Sequence, residues 1–409
     1  MTFLTRLWTD RAQRRETAVR LVTLLVSLLL LAAAHHAADA NAMDLQGNAS
    51  VEVVRARVEA IAKRESHVLD IGDGHPVESI TVHFYARILD RERRGEMVFA
   101  SQSSDPFYAV AQKEIAIGDQ VLLHRGERGE SDGWMLGEYV RTDALLLLVG
   151  TYVLLFLLLG GWKGFWALTA LALTCGAIFA GFLPSVLSGG DIRLGALGVC
   201  GFSIASTLLL VSGASRKTLT AGIGCAAGVG LAGVVTLGMD HVLMLTGYVD
   251  EQSVYLASLP TGHAIDLRGV IFAGILIGAL GAVMDVAMSI ASALWELQAQ
   301  SRTPTVGVLL HSGLAIGRDM MGTMANTLVL AYIGGSLSIV LLLTAYATST
   351  LALFNMEMIV VEVLQALVGS LGILLTIPLT SLAGALLYGS SHSEGITASV
   401  VLRTKEEIH

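Results

Sequence analysis

Seven long apolar runs follow one another from Asp143 almost to the end of the chain: 143–160, 164–183, 194–213, 218–245, 268–294, 320–346 and 361–388. About 20 apolar residues cover the hydrocarbon of a bilayer. A chain inside lipid must satisfy every backbone N–H and C=O from within, which leaves the helix as the form for such runs. Several runs exceed a straight crossing, so tilt or overhang is expected. The composition agrees: 15% of residues are charged and mean hydropathy is +0.66, against roughly 25% charged in soluble chains. Glycine is abundant at 44 residues and proline scarce at 6, which suits closely packed membrane helices.

The N-terminal part is different material. Residues 1–40 form a basic lead (Arg6, Arg11, Arg14, Arg15, Arg20) and the apolar run 21–34. Fourteen apolar residues resemble a signal-peptide core, and Ala38–Ala40 has the form of a cleavage site. The length of the arginine-rich lead favours a retained helix or signal anchor, which brings the expected spans to about eight. Residues 45–141 alternate apolar and polar residues with period two, as in ESITVHFYARIL, between turn signals such as Gly72-Asp73-Gly74 and Asp132-Gly133. That is strand patterning. It predicts a small all-β domain of five or six strands, an OB-like barrel or a sandwich; residues 51–65 fit either a helix or a strand. The expected fold is therefore an α-helical polytopic membrane protein with one β domain at 45–141, a seven-helix membrane domain at 143–390 and a tail at 391–409.

Basic residues set the orientation. With the N-terminus inside, the inward segments carry Lys163, Arg216, Lys217, Arg302, Arg403 and Lys405, and the short outward loops only Arg193 and Arg268. By the positive-inside rule the β domain lies outside and both termini are cytoplasmic.

Asp285 stands out among the polar residues, near the middle of an apolar run that carries no other charge from Gly269 to Trp295. A carboxylate at that depth costs a few kcal/mol and is seldom idle. Ser289 follows at i+4, and Ser292 and Glu296 continue the same face. Gly274, Gly278 and Gly281 precede it as a small-residue ladder. The next run carries Asp319, Thr323, Asn326 and Thr327 as one polar stripe, expected to face Asp285 across a helix pair. Arg318 is the nearest counter-ion. The alternative for this pair is a boundary role, with Arg318 snorkelling and Asp319 capping a helix start. Residues 306–317 are apolar but too short to span. They lie on the interface, re-enter the membrane, or form half of a helix broken at Gly307, Gly313, Gly317 or Gly322. Pro378 is expected to kink the last helix. Gly222, Gly224, Gly228, Gly230 and Gly233 read as a packing surface. Asp240-His241 reads as a solvated interface pair and PTGHAIDLR (260–268) as an outer loop with a helix start at Asp266.

Other chemistry finds little support. Cys175, Cys200 and Cys225 match no zinc or redox spacing and read as small buried residues. HExxH, GxSxG and P-loop motifs are missing, which argues against zincins, serine hydrolases and an ATP motor. No basic cluster with interleaved aromatics points to nucleic acid. No cofactor, metal or enzymatic activity is expected.

GAVMDVAMSIASALWEL, HSGLAIGRDMMGTMANTLVLAY and GSLGILLTIPLTSLAGALL, in that order, resemble the bacterial YibE/F family of multipass membrane proteins, and the resemblance covers roughly residues 50–390. It implies an inner-membrane protein with an extracytoplasmic N-terminal region and a transport role. Asp285 and Arg318–Asn326 fall on the family's motifs. Gln365 stands where a basic residue is expected. The reading is a permease, an ion- or proton-coupled secondary transporter of an unknown small solute or ion. Asp285, Ser289, Asp319, Thr323 and Asn326 would bind and Arg318 would pair or gate. The alternative is a membrane assembly or signalling protein that recruits a partner through the β domain. The expected partners are the lipid bilayer, the solute and a second copy in a homo-oligomer that the glycine ladders permit.

Overall fold

The computed structural model describes residues 11–39, 52–69, 77–103, 113–125, 133–260, 263–300, 305–346 and 349–406, with only the helical backbone beyond residue 389. The chain divides into two compact units, Asp44–Leu158 and Met1–Met43 with Leu159–His409.

The first unit holds a closed five-stranded barrel. Its strands are β1 (Val53–Leu69), β2 (Val77–Ile88), β3 (Met97–Ser103), β4 (Gln120–Arg125) and β5 (Trp134–Tyr139), in the order β1-β2-β3-β5-β4. Of the segment 51–65, which fitted either period, the residues from Val53 on are strand. All neighbours are antiparallel except β3 and β5, which pair in parallel at Ala100↔Trp134 and Ser101↔Met135. The period-two pattern sends Val82, Phe84, Ala86 and Ile88 of β2 into one core with Val98, Ala100, Val121 and Leu123. One polar side chain is buried with them. Gln102 donates from Nε2 to the Lys113 carbonyl at 3.0 Å and accepts from the Ile115 N–H at 2.9 Å, so the strandless return 113–116 is pinned to β3 with its polar groups satisfied.

Among the described residues six helices are long and apolar enough to cross a bilayer, and a bent pair raises the number to seven. They are α1 (Arg11–Asp39), α2 (Thr142–Gly176, continued by a π-helical stretch to Leu187), α3 (Ile192–Ser212), α4 (Arg216–Val242), α5 (Leu267–Gln300), the bent pair α6 (Val306–Gly335) and α7 (Leu337–Tyr346), and α8 (Glu357–Glu406). α1 continues through His35 and His36, past its apolar core. Within α2, Gly161 has φ 52° and ψ −135°. This left-handed φ is cheap only for glycine, and it divides the run into 142–160 and 162–187, the place where the sequence separates two spans.

The bundle is organised around α8, which packs on α4, α5 and α6. Glycine pairs let it approach. A Cβ on Gly224 would lie 1.9 Å from Thr380 Oγ1, and one on Gly228 1.9 Å from Thr376 Oγ1. On the other flank, a Cβ on Gly313 would lie 2.5 Å from Ser381 Oγ and one on Gly317 2.1 Å from Ile377 Cγ2. Two glycine-x-x-x-glycine seats thus hold one helix from two sides, the small-residue packing that membrane helices use. Thr376 and Ser381 return their hydroxyls to their own helix, to the Gly372 and Ile377 carbonyls at 2.7 Å each, so they pack without an unsatisfied donor.

One expectation is corrected here. α6 does not break at its early glycines. Thr305 caps its start by accepting from the Val308 N–H, and the helix runs unbroken for 30 residues. Gly313 and Gly317 serve packing on α8, not backbone freedom, and the bend of 62° falls at Ser336. α8 also continues through Pro378. Among the cysteines, Cys200 and Cys225 are buried as expected, whereas Cys175 on α2 is exposed.

Candidate functional site

α5 has one buried face and one open face. Its core side carries Leu276, Leu280, Val283, Ala287, Ile290 and Leu294, all nearly or fully buried. Opposite them Gly274, Gly278, Gly281, Asp285, Ser289 and Glu296 are exposed and Ser292 is half-buried. Steps of three and four residues place this set on one helical stripe. Asp285 lies close to the midpoint of the 34-residue helix. Among the described residues no hydrogen bond or ion pair reaches it. Nothing lies within 4 Å of a Cβ built on Gly281, one turn before it.

The sequence reading placed this stripe inside the bundle, and the structure turns it outward. The reason is amphipathic order: the bulky aliphatic residues of α5 take the contacts with α3, α4, α6 and α8, and the small and polar residues are left on the remaining side.

α6 borders this face but presents only part of its polar set to it. Tyr332 of α6 sits against α5, with Oη 2.5 Å from a Cβ built on Gly278. Thr323 is nine residues from Tyr332, which at 3.6 residues per turn is two and a half turns. Thr323 therefore points to the opposite side of α6, and Asp319 and Asn326 also lie well round from Tyr332. Their expected position facing Asp285 is not what the structure has. Arg318, fourteen residues from Tyr332, is close to four turns away and shares its side. All four are exposed, and Thr323 donates to its own helix at the Met320 carbonyl, 2.9 Å away. Asp319 lies thirteen residues into α6 and caps nothing. Neither it nor Arg318 forms an ion pair with another described residue.

The ends of the helices hold polar groups that local spacing did not reveal. Arg193 of α3 lies 3.8 Å from Asp240 at the end of α4 and 3.6 Å from Asp266 before α5. Asp240 is buried, not solvated as its position at a helix end suggested. Its Oδ1 and the Nε of Arg193 are both buried without a hydrogen-bond partner. Asp191 caps α3 by accepting from the Leu194 N–H. Glu357, at the start of α8, accepts from the Thr246 and Gly247 N–H groups and from the Thr246 hydroxyl, each at 2.7 Å. These contacts join segments far apart in sequence, so only the tertiary fold shows them.

In the barrel, several charged groups are paired at its surface. Lys113 donates to both carboxylate oxygens of Asp119 at 2.9 and 2.8 Å. This bond holds the Asp119 carboxyl below its usual range and raises the Lys113 ammonium.

Fold and open face together define a class: a bundle of long apolar helices, with a mid-helix carboxylate on an exposed stripe, and a small barrel. Within that class the chain belongs to the YibE/F-like protein family, whose profile matches residues 148–390. The match includes Asp285, Ser289 and the whole of α6; the barrel, which the resemblance read in the sequence included from residue 50, lies outside it. No curated protein and no solved structure matches the sequence.

Proposed function

We propose that this protein is an integral membrane permease, an ion- or proton-coupled secondary transporter in which Asp285 is the coupling carboxylate. The observation that carries this is the position of Asp285: mid-helix, exposed, beside glycine and serine on one stripe, with no hydrogen bond or ion pair to any described residue. An ionised carboxylate facing hydrocarbon at that depth costs about 2.5–3.5 kcal/mol on insertion scales. A water-lined path along the stripe removes that cost and gives the group something to exchange with. Ser289 supplies a neutral ligand one turn below, and Arg318 supplies a compensating cation from the bordering side of α6. Asp319, Thr323 and Asn326 form a second polar face on α6, separate from the first.

The cytoplasmic membrane is the proposed location, with the barrel outside and both termini inside. The clustering of Lys163, Arg216, Lys217 and Arg302 on one set of loops supports it. The test of function is solute accumulation in proteoliposomes driven by a proton or ion gradient. Asp285→Asn should abolish the gradient dependence, and full activity in that variant rejects the assignment. A second reading draws on the same stripe: small residues on an open helix face also admit a partner helix, as in a membrane assembly or signalling protein whose barrel recruits the partner. Deleting residues 45–141 separates the two, since a scaffold loses all function and a permease retains flux.

A further inference from the structure

A cavity of about 390 Å³ opens where α6 bends into α7, closed by the short helix Thr350–Phe354 and the first turns of α8. Its walls are aliphatic or aromatic, Phe354 among them, and polar groups reach it only from Tyr332, Ser336, Thr344 and Glu362. The Thr344 hydroxyl is already used, donating to the Val340 carbonyl at 2.6 Å. Glu362 has no hydrogen bond or ion pair with any described residue, and no basic residue lines the cavity. Tyr332 Oη is buried with no partner.

These groups select by charge and by surface. One carboxylate among apolar walls attracts a positive charge and repels anions. A zwitterion would leave its own carboxylate unanswered, because no cation lies here to meet it. A hard metal ion needs about six oxygen ligands, and no group of three or more His, Cys, Asp or Glu gathers among the described residues. The walls instead match apolar substituents, and two aromatic residues, Tyr332 and Phe354, are among them; an aromatic ring and a cation attract by roughly 0.5–2 kcal/mol where they meet. We infer that this cavity is a binding site for lipophilic organic cations, with Glu362 as the counter-charge and the Tyr332 hydroxyl as a second polar contact.

The inference deepens the permease reading and rests on it for its purpose, because Tyr332 joins the two sites. Its hydroxyl lies against Gly278 on the open stripe of α5. Asp285 is seven residues further, about 10 Å along the helix at 1.5 Å per residue. The Tyr332 contact on α5 and Asp285 thus stand about two helical turns apart.

The probe is tetraphenylphosphonium, added to the full chain in lipid nanodiscs and followed by equilibrium binding against empty nanodiscs. The expected result is saturable binding, weakened at least tenfold by Glu362→Gln and recovered in Glu362→Asp. Ala366→Phe, which narrows the cavity and keeps the charge, should also weaken binding tenfold; it covers the case in which Glu362→Gln fails to fold. Binding that is non-saturable, equal in empty nanodiscs, or unchanged in both Glu362→Gln and Ala366→Phe overturns the site. Glu362-dependent binding without coupled flux under any gradient would leave the cavity assigned and overturn the permease reading. Coupled flux without saturable cation binding would overturn the cavity alone.

Discussion

Gly317→Ala tests whether α8 is held by glycine seats. The new Cβ would stand 2.1 Å from Ile377 Cγ2 and 3.1 Å from Ile377 Cβ and Cγ1. Carbon atoms rest at about 3.5–4.0 Å, so the side chain or the helix must retreat by roughly 1.5 Å. Ile377 is buried among the core residues, and Gly313, one turn away, already has Ser381 against it. Forced overpacking of this kind costs about 1–3 kcal/mol. Gly322→Ala on the same helix is the control, because nothing lies within 4 Å of its Cβ. Both substitutions gain the same intrinsic helix preference of about 1 kcal/mol, so their difference isolates the packing cost. Thermal unfolding of the purified protein in detergent should place Gly317→Ala below Gly322→Ala by an amount equivalent to about 1–3 kcal/mol. Equal midpoints, or Gly317→Ala the more stable, would refute the seat.

In the barrel, Gln102→Leu strands the Ile115 N–H and leaves the Lys113 carbonyl only the Tyr139 hydroxyl; denaturant unfolding should show a loss of about 1–3 kcal/mol. The fold favours the ionised form of Asp119, so its stabilisation is complete above the unfolded carboxylate range near pH 4 and disappears as pH falls through the lower folded value. Acid unfolding of Asp119→Asn followed by tryptophan fluorescence should therefore lack that part of the decline and start from a lower stability at pH 7. At the helix ends, a double-mutant cycle of Arg193→Met and Asp240→Asn should show a coupling of about 1 kcal/mol; additive effects would mean that the contact contributes nothing.

Hydropathy alone located the long helices, because a run such as Leu267–Gln300 has no other way to satisfy its backbone. Period-two alternation in ESITVHFYARIL likewise announced β2, with Val82, Phe84 and Ala86 inward. The α6 segment shows the limit of such reading. Gly307, Gly313 and Gly317 looked like freedom to bend, and spacing could not reveal that Ser381 and Ile377 on α8 require the last two as seats. The stripe on α5 was legible as a face from its i, i+3 and i+4 steps. Its outward direction was not, because direction depends on which neighbours the aliphatic side of α5 attracts. The same holds for Thr323 and Asn326, whose shared side was plain and whose partner was not. Arg193 with Asp240 and Asp266 joins distant segments, and Tyr332 and Glu362 line one cavity from separate helices; neither arrangement leaves a periodic trace.

Water beside Asp285 is the condition on which its role depends, and cysteine accessibility measures it without knowledge of any solute. In a Cys175→Ser background, Gly281→Cys and Ser289→Cys flank the carboxylate on the open stripe, and Val234→Cys marks an exposed apolar position on α4. The account predicts that a charged, membrane-impermeant thiosulfonate modifies the cysteines at 281 and 289 in reconstituted vesicles and leaves that at 234 untouched. Protection of both stripe positions, with reactivity no greater than at 234, would contradict it.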